Sequence, residues 1–354
     1  MYHSIWKTFD SRFGPILNSL FKRRELLESE KSSATLDEIH QLRKDILSKY
    51  TESQLERDKE RLEKHKERVS RIREMLNAPN YQIDQEMAAD NRLIDSSGQW
   101  ILENKEFQAW YNHTSGHNIL YINGIPGAGK TTLVSAVIRK LLDSRRSGTA
   151  SHCVAYFYFK YQQPSKESHN SLLRGILDQL IIQDPATSDH LFSKISAMDP
   201  TSLRLTRTLE GLVKEALGSH QTSYIVIDGL DESADKEAEK SVRWFLSLIK
   251  GLSENTATSL RILLSGQRDG IPYGLLADKP SINLDDTPHT KDIEGYCSHF
   301  CERIGKKFDI THEVQESIAL RVANSANGMF LYARVVLNNL LSQTKLAGLN
   351  REMQ

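Results

Sequence analysis

Only three cysteines occur in 354 residues. That is too few for a disulfide framework and points to a reducing compartment. Neither sign of charge dominates, since Lys+Arg and Asp+Glu both number 46. A chain so balanced has no bulk attraction for nucleic acid or for an anionic membrane. No uninterrupted run of about 18 apolar residues is present, so no membrane span is expected. The opening residues, Met1-Tyr-His-Ser-Ile-Trp-Lys7, put charge where a secretory leader needs an apolar core. Together these absences lead us to expect a cytoplasmic protein with no nucleic-acid partner. Charged residues make up 26% and hydrophobic ones 39%, as in an ordinary globular chain long enough for two or three domains.

What is present centres on residues 118–138. Ile119 to Ile122 are apolar and suit a buried strand. The turn that follows holds Gly124, Pro126, Gly127 and Gly129, and from Thr131 apolar residues recur at helical spacing. Strand, glycine loop and helix in this order are the setting that the pattern G-x-x-x-x-G-K-[ST] requires. Glycines let the backbone curl so that successive N–H groups face a phosphate, with a helix N-terminus behind them. The expected nucleotide-binding residues are therefore Gly124, Gly127, Ala128, Gly129, Lys130, Thr131 and Thr132. Lys130 is placed to reach the β- and γ-phosphates, and the Thr131 hydroxyl to bind Mg²⁺.

Upstream, helical periodicity runs from Ile5 to Leu27, with an expected break near Gly14-Pro15, and then over residues 36–76. Leu55, Leu62, Val69 and Leu76 recur every seven residues, but charged residues stand between Leu55 and Val69, so the seam there is thin. Asn77-Ala-Pro-Asn80 ends that helix. Residues 84–98 read as a linker, and Trp100 to Trp110 as a short amphipathic helix. Downstream, Cys153–Phe159, Tyr224–Asp228, Arg261–Ser265 and Ile282–Leu284 read as further strands alternating with helical patterns. That alternation predicts an α/β fold, with a parallel sheet covered on both faces. From Lys291 the chain reads as helices.

The strand at 224–228 delivers Asp228 to its C-terminal edge, where nucleotide ligands sit in such sheets. Asp228 is the expected second Mg²⁺ ligand, directly or through water. Asp231 or Glu232 is placed to polarise the attacking water. Arg268, after the next strand, either senses the γ-phosphate, contacts a neighbouring subunit, or is a solvated loop residue. Cys297 and Cys301 share a helix face, but no further ligands accompany them, which reads as buried thiols rather than zinc. Thr290-Lys-Asp-Ile293 lacks the acid that a guanine-reading T-K-x-D needs at its last position.

With Gly-Ile-Pro-Gly-Ala-Gly-Lys-Thr-Thr, Ile-Val-Ile-Asp-Gly-Leu-Asp-Glu and Ser-Gly-Gln-Arg in order, residues 95–340 closely resemble the NACHT NTPases. These are signal-transduction (STAND) P-loop proteins, and the likeness is strongest to the fungal nephrocystin-like group. Gly98-Gln-Trp-Ile-Leu102 and Asn327-Gly-Met-Phe-Leu-Tyr-Ala333 are similar to phrases that open and close the nucleotide domain of that group. The resemblance implies a three-layer αβα fold with a five-stranded parallel sheet of the additional-strand type. In it the Arg268 strand lies between the phosphate-loop strand and the Asp228 strand. It also implies catalytic roles for Lys130, Asp231, Glu232 and Arg268, with ATP or GTP and Mg²⁺ as ligands. A switch that becomes a homo-oligomer with triphosphate bound is expected, possessing unknown protein partners at its helical N-terminus. Relatives continue into a winged helix and a sensor repeat array, whereas this chain stops at Gln354, so we expect a short or truncated form.

The resulting expectation is a helical module over 1–83, a linker over 84–98, the NTPase domain over 99–288 and a helical segment over 289–354. Two functions fit it. One is a slowly hydrolysing, Mg-dependent signalling switch, in fungal non-self recognition or programmed cell death. The other is a scaffold with structurally bound nucleotide.

Overall fold

The structure, a computed structural model, describes residues 2–28, 33–92, 97–114, 116–147, 152–253, 258–284 and 287–344. The chain divides into two compact units, Met1–Glu67 and Arg68–Gln354.

The first unit holds helix α1 (Tyr2–Glu28) and most of α2 (Ser33–Leu76). Helix α1 runs unbroken through Pro15, contrary to the expected break. One proline removes a single rung of the helical ladder, and the rungs on either side carry the helix past it. Phe13 meets Tyr50 edge-on, with ring centroids 5.9 Å apart. Much of the apolar stripe stays open to solvent: Ile16, Leu42, Leu55 and Leu62 are all exposed. The charged residues between the heptad positions offer nothing to cover it.

The second unit begins inside α2, not after residue 83. Its last turns carry Ile72 and Leu76, both fully buried, with Val69 and Met75 packed against the same core. That burial assigns these turns to the larger unit. Asn80 then caps α3 (Tyr81–Asp90), its side chain accepting from the Ile83 N–H at 3.2 Å. Residues 84–90 are thus helix and not linker, while 93–96 of the expected linker lie outside the described residues. The physical reason is a set of buried polar anchors. The Tyr81 hydroxyl donates to Asp178 at 2.8 Å, and Lys166 pairs with Asp84 at 2.6 Å. Polar composition alone made this helix resemble a loop.

Helices α4 (Trp100–Glu103) and α5 (Lys105–Tyr111) lead into β1 (Ile119–Asn123), followed by α6 (Lys130–Arg146) and β2 (Cys153–Tyr158). Four helices come next: α7 (His169–Gln183), α8 (Pro185–Ile195), α9 (Pro200–Leu203) and α10 (Thr206–Gly218). Then come β3 (Thr222–Asp228), a 3₁₀ turn (Leu230–Glu232), α11 (Asp235–Ser253), β4 (Ser259–Gly266), α12 (Gly270–Leu276) and β5 (Ser281–Asn283). Helices α13 (Thr287–Phe308), α14 (His312–Ala326) and α15 (Phe330–Ser342) complete the described chain.

All five strands run parallel, in the order β2-β3-β4-β1-β5. As the resemblance implied, β4 lies between the phosphate-loop strand and the Asp228 strand. Period-two alternation splits the strand residues between two cores. Tyr121, Phe157, Ile227 and Leu264 face one helical layer, and Leu120, Ile122, Val226 and Leu263 face the other. This is the three-layer αβα arrangement, in which a parallel sheet hides both faces. A third core, with Cys297, Cys301, Ala333 and Leu337, holds α13, α14 and α15 together.

Candidate functional site

The C-terminal ends of β1, β4 and β3 lie side by side. Register places Ile122 level with Ser265, and Ile227 level with Leu264. Adjacent strands are about 4.8 Å apart, so Asp228 starts two strand spacings from the phosphate-loop strand. The loop after β1 closes that gap by curling over the end of β4. Gly127 and Gly129 hold φ of +75° and +93°, a left-handed backbone that residues with a Cβ adopt only at a cost. The turn delivers Thr131, in the first turn of α6, to the cleft that the Asp228 carboxylate also lines, where its hydroxyl favours the ionised carboxylate. Lys130 folds back over the loop, its Nζ donating to the carbonyls of Gly124 (3.0 Å) and Ile125 (3.2 Å).

Asp228 is only 3% exposed. Burial raises its pKa, while hydrogen bonds from Ser265 and Thr131 oppose that shift and the nearby Asp231 charge adds to it. Ser265, fully buried on β4, donates from Oγ to Asp228 Oδ1 and accepts from the Gly229 N–H at 3.2 Å. Sequence reading named the strand but missed this role, because it depends on which strands are neighbours.

Gly229, at φ +74°, turns the chain into the 3₁₀ turn that carries Asp231 and Glu232. Asp231 accepts from Gln267 Nε2 at 2.8 Å. Glu232 is half-buried, and Oε2 accepts from the Tyr161 N–H at 3.3 Å. Burial raises the Glu232 pKa, the Tyr161 hydrogen bond opposes this, and the Asp228 charge raises it further.

Around these groups lies a cleft of about 430 Å³. Gly127 through Leu133 form one part of its lining, with Asp228, Gly229, Asp231 and Glu232 beside them. The remainder comes from Asn91, Arg92, Ser97 and Gly98, from His289, Asp292 and Tyr296 on α13, and from Phe330, Leu331 and Arg334 on α15. Of the expected residues, Gly127, Ala128, Gly129, Lys130, Thr131, Thr132, Asp228, Asp231 and Glu232 converge here. Gly124 sits at the base of the loop and does not line the cleft.

Arg268 is also outside the lining; its Nε donates to the side chain of Asn123, a buried residue at the end of β1. Besides Lys130, the cations that line the cleft are Arg92 and Arg334, and Arg334 Nη1 donates to Asn91 Oδ1 at 3.1 Å. Neither arginine belongs to a sequence motif we identified. Phe330 and Leu331 fall within the phrase 327–333, and only the packing of α15 against the phosphate loop ties that phrase to the cleft. Asp292, within the rejected Thr290–Ile293 match, accepts from the Gly98 N–H at 2.8 Å and from Ser97 Oγ at 3.2 Å.

The donor set suits Mg²⁺. One carboxylate and one hydroxyl, both hard oxygens, meet beside a phosphate-binding loop, and this is how that ion is held when a substrate's phosphates complete its shell. Among the described residues no group of three or more His, Cys, Asp and Glu gathers as a self-sufficient metal site. Among the described residues no helix is long and apolar enough to cross a membrane.

Strand order, glycine loop and the meeting of Thr131 and Asp228 in one cleft define the class: a P-loop NTPase fold. Residues 96–267 match the family described as Nephrocystin 3, N-terminal. The resemblance drawn from the motif residues is borne out. Vegetative incompatibility protein HET-E-1 of Podospora anserina is 28% identical over 188 residues. The aligned region is 51% of this chain but only 13% of that protein, so the chain spans a small part of that relative's length. Among solved structures, the Walker-type ATPase of Pyrococcus abyssi is 13% identical, with 71% of each chain covered and a TM-score of 0.42. The ORC2 protein of Aeropyrum pernix, solved as ADPNP–ADP complexes, is 12% identical at a TM-score of 0.41, covering 74% of this chain and 68% of its own. Scores this low add nothing to what strand order and loop geometry establish.

Proposed function

We propose that the chain is a Mg-dependent nucleoside-triphosphate-binding switch that hydrolyses its ligand slowly to diphosphate and phosphate. The observation that carries this reading is the convergence of Thr131 and the buried Asp228 carboxylate in one cleft at the mouth of the phosphate loop. Main-chain N–H groups from Gly127 to Thr132 grip the phosphates. Lys130 exchanges its two carbonyl partners for phosphate oxygens, a stronger charge-assisted contact. Thr131 and Asp228 would hold Mg²⁺, which when bound would neutralise phosphate charge during hydrolysis. Glu232, half-buried with a raised pKa, accepts a proton from the attacking water. Asp231, held by Gln267, supports it. Arg268 acts on Asn123 at the root of the loop, which makes it a positioning residue in this reading and not a γ-phosphate sensor.

Likeness to a vegetative incompatibility protein supports a role in fungal non-self recognition and programmed cell death. Nucleotide-dependent homo-oligomerisation, with protein partners at the N-terminal helices, would be its output in the cytoplasm. The decisive experiment measures nucleotide affinity of the wild type and of Lys130→Ala. A loss of about 10- to 100-fold is expected for removing a charged partner of phosphate; unchanged affinity overturns the proposal. Phosphate release that continues unslowed in Glu232→Gln overturns the catalytic assignment. Binding with no turnover in either protein leaves a scaffold holding structural nucleotide.

A further inference from the structure

The cleft contains two polar groups that the phosphate chemistry does not use. His289 is 1% exposed, and its Nε2 lies 3.0 Å from the Gly328 carbonyl. A carbonyl can only accept, so Nε2 carries the hydrogen and Nδ1 of the neutral ring is an acceptor. That Nδ1 is buried without a partner among the described residues. Tyr296 is 2% exposed, and its hydroxyl is likewise buried and unpartnered. Both residues line the same cleft as the phosphate loop.

Native proteins leave few buried polar atoms unsatisfied, and each one calls for a reason. Two in one cleft, seven residues apart on α13, share a single reason. Spacing of i and i+7 puts them on one helix face, about 10 Å apart along the axis, so they meet different parts of one ligand. Between α13 and α15 the Tyr296 ring lies 4.8 Å, centroid to centroid, from that of Phe330, which also lines the cleft. An aromatic wall with isolated hydrogen-bonding groups is how apolar pockets fix flat, polar-edged ligands. Rings carrying single polar atoms suit the base or ribose of a nucleotide rather than its phosphates.

We infer that His289 and Tyr296 recognise the nucleoside half of the bound nucleotide, with His289 Nδ1 accepting from an N–H or O–H of the base or ribose and the Tyr296 hydroxyl making a second hydrogen bond. This rests on the proposed nucleotide-binding function. Adenosine and guanosine both offer such donors and acceptors, and the test separates them.

Full-length wild type, Tyr296→Phe and His289→Gln are titrated with ATP, GTP and inorganic tripolyphosphate, with Lys130→Ala as reference. Tyr296→Phe removes only the hydroxyl, and His289→Gln keeps a donor for Gly328 while removing Nδ1. Each variant is expected to lose about 5- to 10-fold in nucleotide affinity and nothing for tripolyphosphate. A larger loss for one nucleotide identifies a contact to that base, whereas equal losses locate it on the ribose. Variants that bind both nucleotides as wild type does, while Lys130→Ala binds weakly, overturn this inference alone. Equal weakening toward tripolyphosphate also overturns it, since the residues then only support the fold. A wild type that binds no nucleotide overturns the proposed function and this inference together.

Discussion

The N–H of Leu331, in the first turn of α15, donates to the carbonyl of Gly127 in the phosphate loop at 2.9 Å. The C-terminal helices are therefore latched to the loop itself, and the contact is tight. A Cβ on Gly127 would lie 3.0 Å from Leu331 Cβ and 3.1 Å from Met329 Cγ, at a φ of +75° that already disfavours one.

Gly127→Ala consequently has two costs, backbone strain of about 1–2 kcal/mol and displacement of α15. We expect nucleotide affinity to fall at least tenfold. Leu331→Pro removes the latching N–H within the first turn of α15, where the helix itself makes no use of it, and also trims a side chain that lines the cleft; nucleotide affinity should fall by about fivefold. Calorimetric titration checks both; wild-type affinity in Gly127→Ala would show that the loop tolerates what the geometry forbids.

Ser265→Ala tests the support beneath Asp228. The substitution removes the donor to Asp228 Oδ1 and the acceptor of the Gly229 N–H, both in buried surroundings. A destabilisation of about 1–3 kcal/mol is expected, read as a lower midpoint of thermal unfolding, with weaker Mg-dependent nucleotide binding. A variant with unchanged midpoint and affinity would demote Ser265 to a spectator.

Glu232 predicts a pH dependence of defined sign. Burial and the Asp228 charge raise its pKa above the ordinary 4.5, so the folded state binds its proton more tightly than the unfolded chain does. Its ionisation therefore lowers stability as pH rises through the raised value, and the penalty is absent at acid pH. A proton acceptor must be ionised, so the acid limb of the hydrolysis profile should lie above pH 4.5. Glu232→Gln should abolish that limb along with most turnover, and at pH 8 it should unfold no earlier than wild type. An acid limb that persists unaltered in the variant would assign it to another group.

The cysteines give a probe of unfolding. Burial pushes Cys297 up to about 12 and Cys153 and Cys301 to about 11. At pH 8 all three are thiols and shielded, and the thiolate is the reactive form. Maleimide should label none of them in the native chain and all three once it unfolds. Rapid native labelling of either helix cysteine would mean that the α13–α15 bundle opens.

Most of the sheet and half of the cleft were legible in the sequence, for a local reason. A run such as Ile119–Ile122 or Tyr224–Ile227 has to be buried on both faces, and a glycine loop followed by Lys130-Thr131 folds by its own backbone preferences. Asp228 was legible because a carboxylate ending such a run must leave the core at the strand's edge. Helix α3 was not legible, because its polar residues are satisfied by partners about 80–100 positions away: Lys166 holds Asp84, and Asp178 holds Tyr81. Nor was the end of α2, whose final turns join a core shared with α7, α8 and α10.

The sequence by itself determined that a phosphate loop, a partner carboxylate and a parallel sheet would exist, since the first two are each written within a dozen consecutive residues and the third in the alternation of apolar strands with helical patterns. Only the tertiary structure decided which other groups share that space: Ser265 beneath Asp228, Leu331 latched to Gly127, Arg268 turned to Asn123, and His289 and Tyr296 in the cleft. Strand order and the docking of α13 and α15 make those neighbours. Both are settled by the packing of whole layers, a competition among distant surfaces that leaves no trace in local spacing.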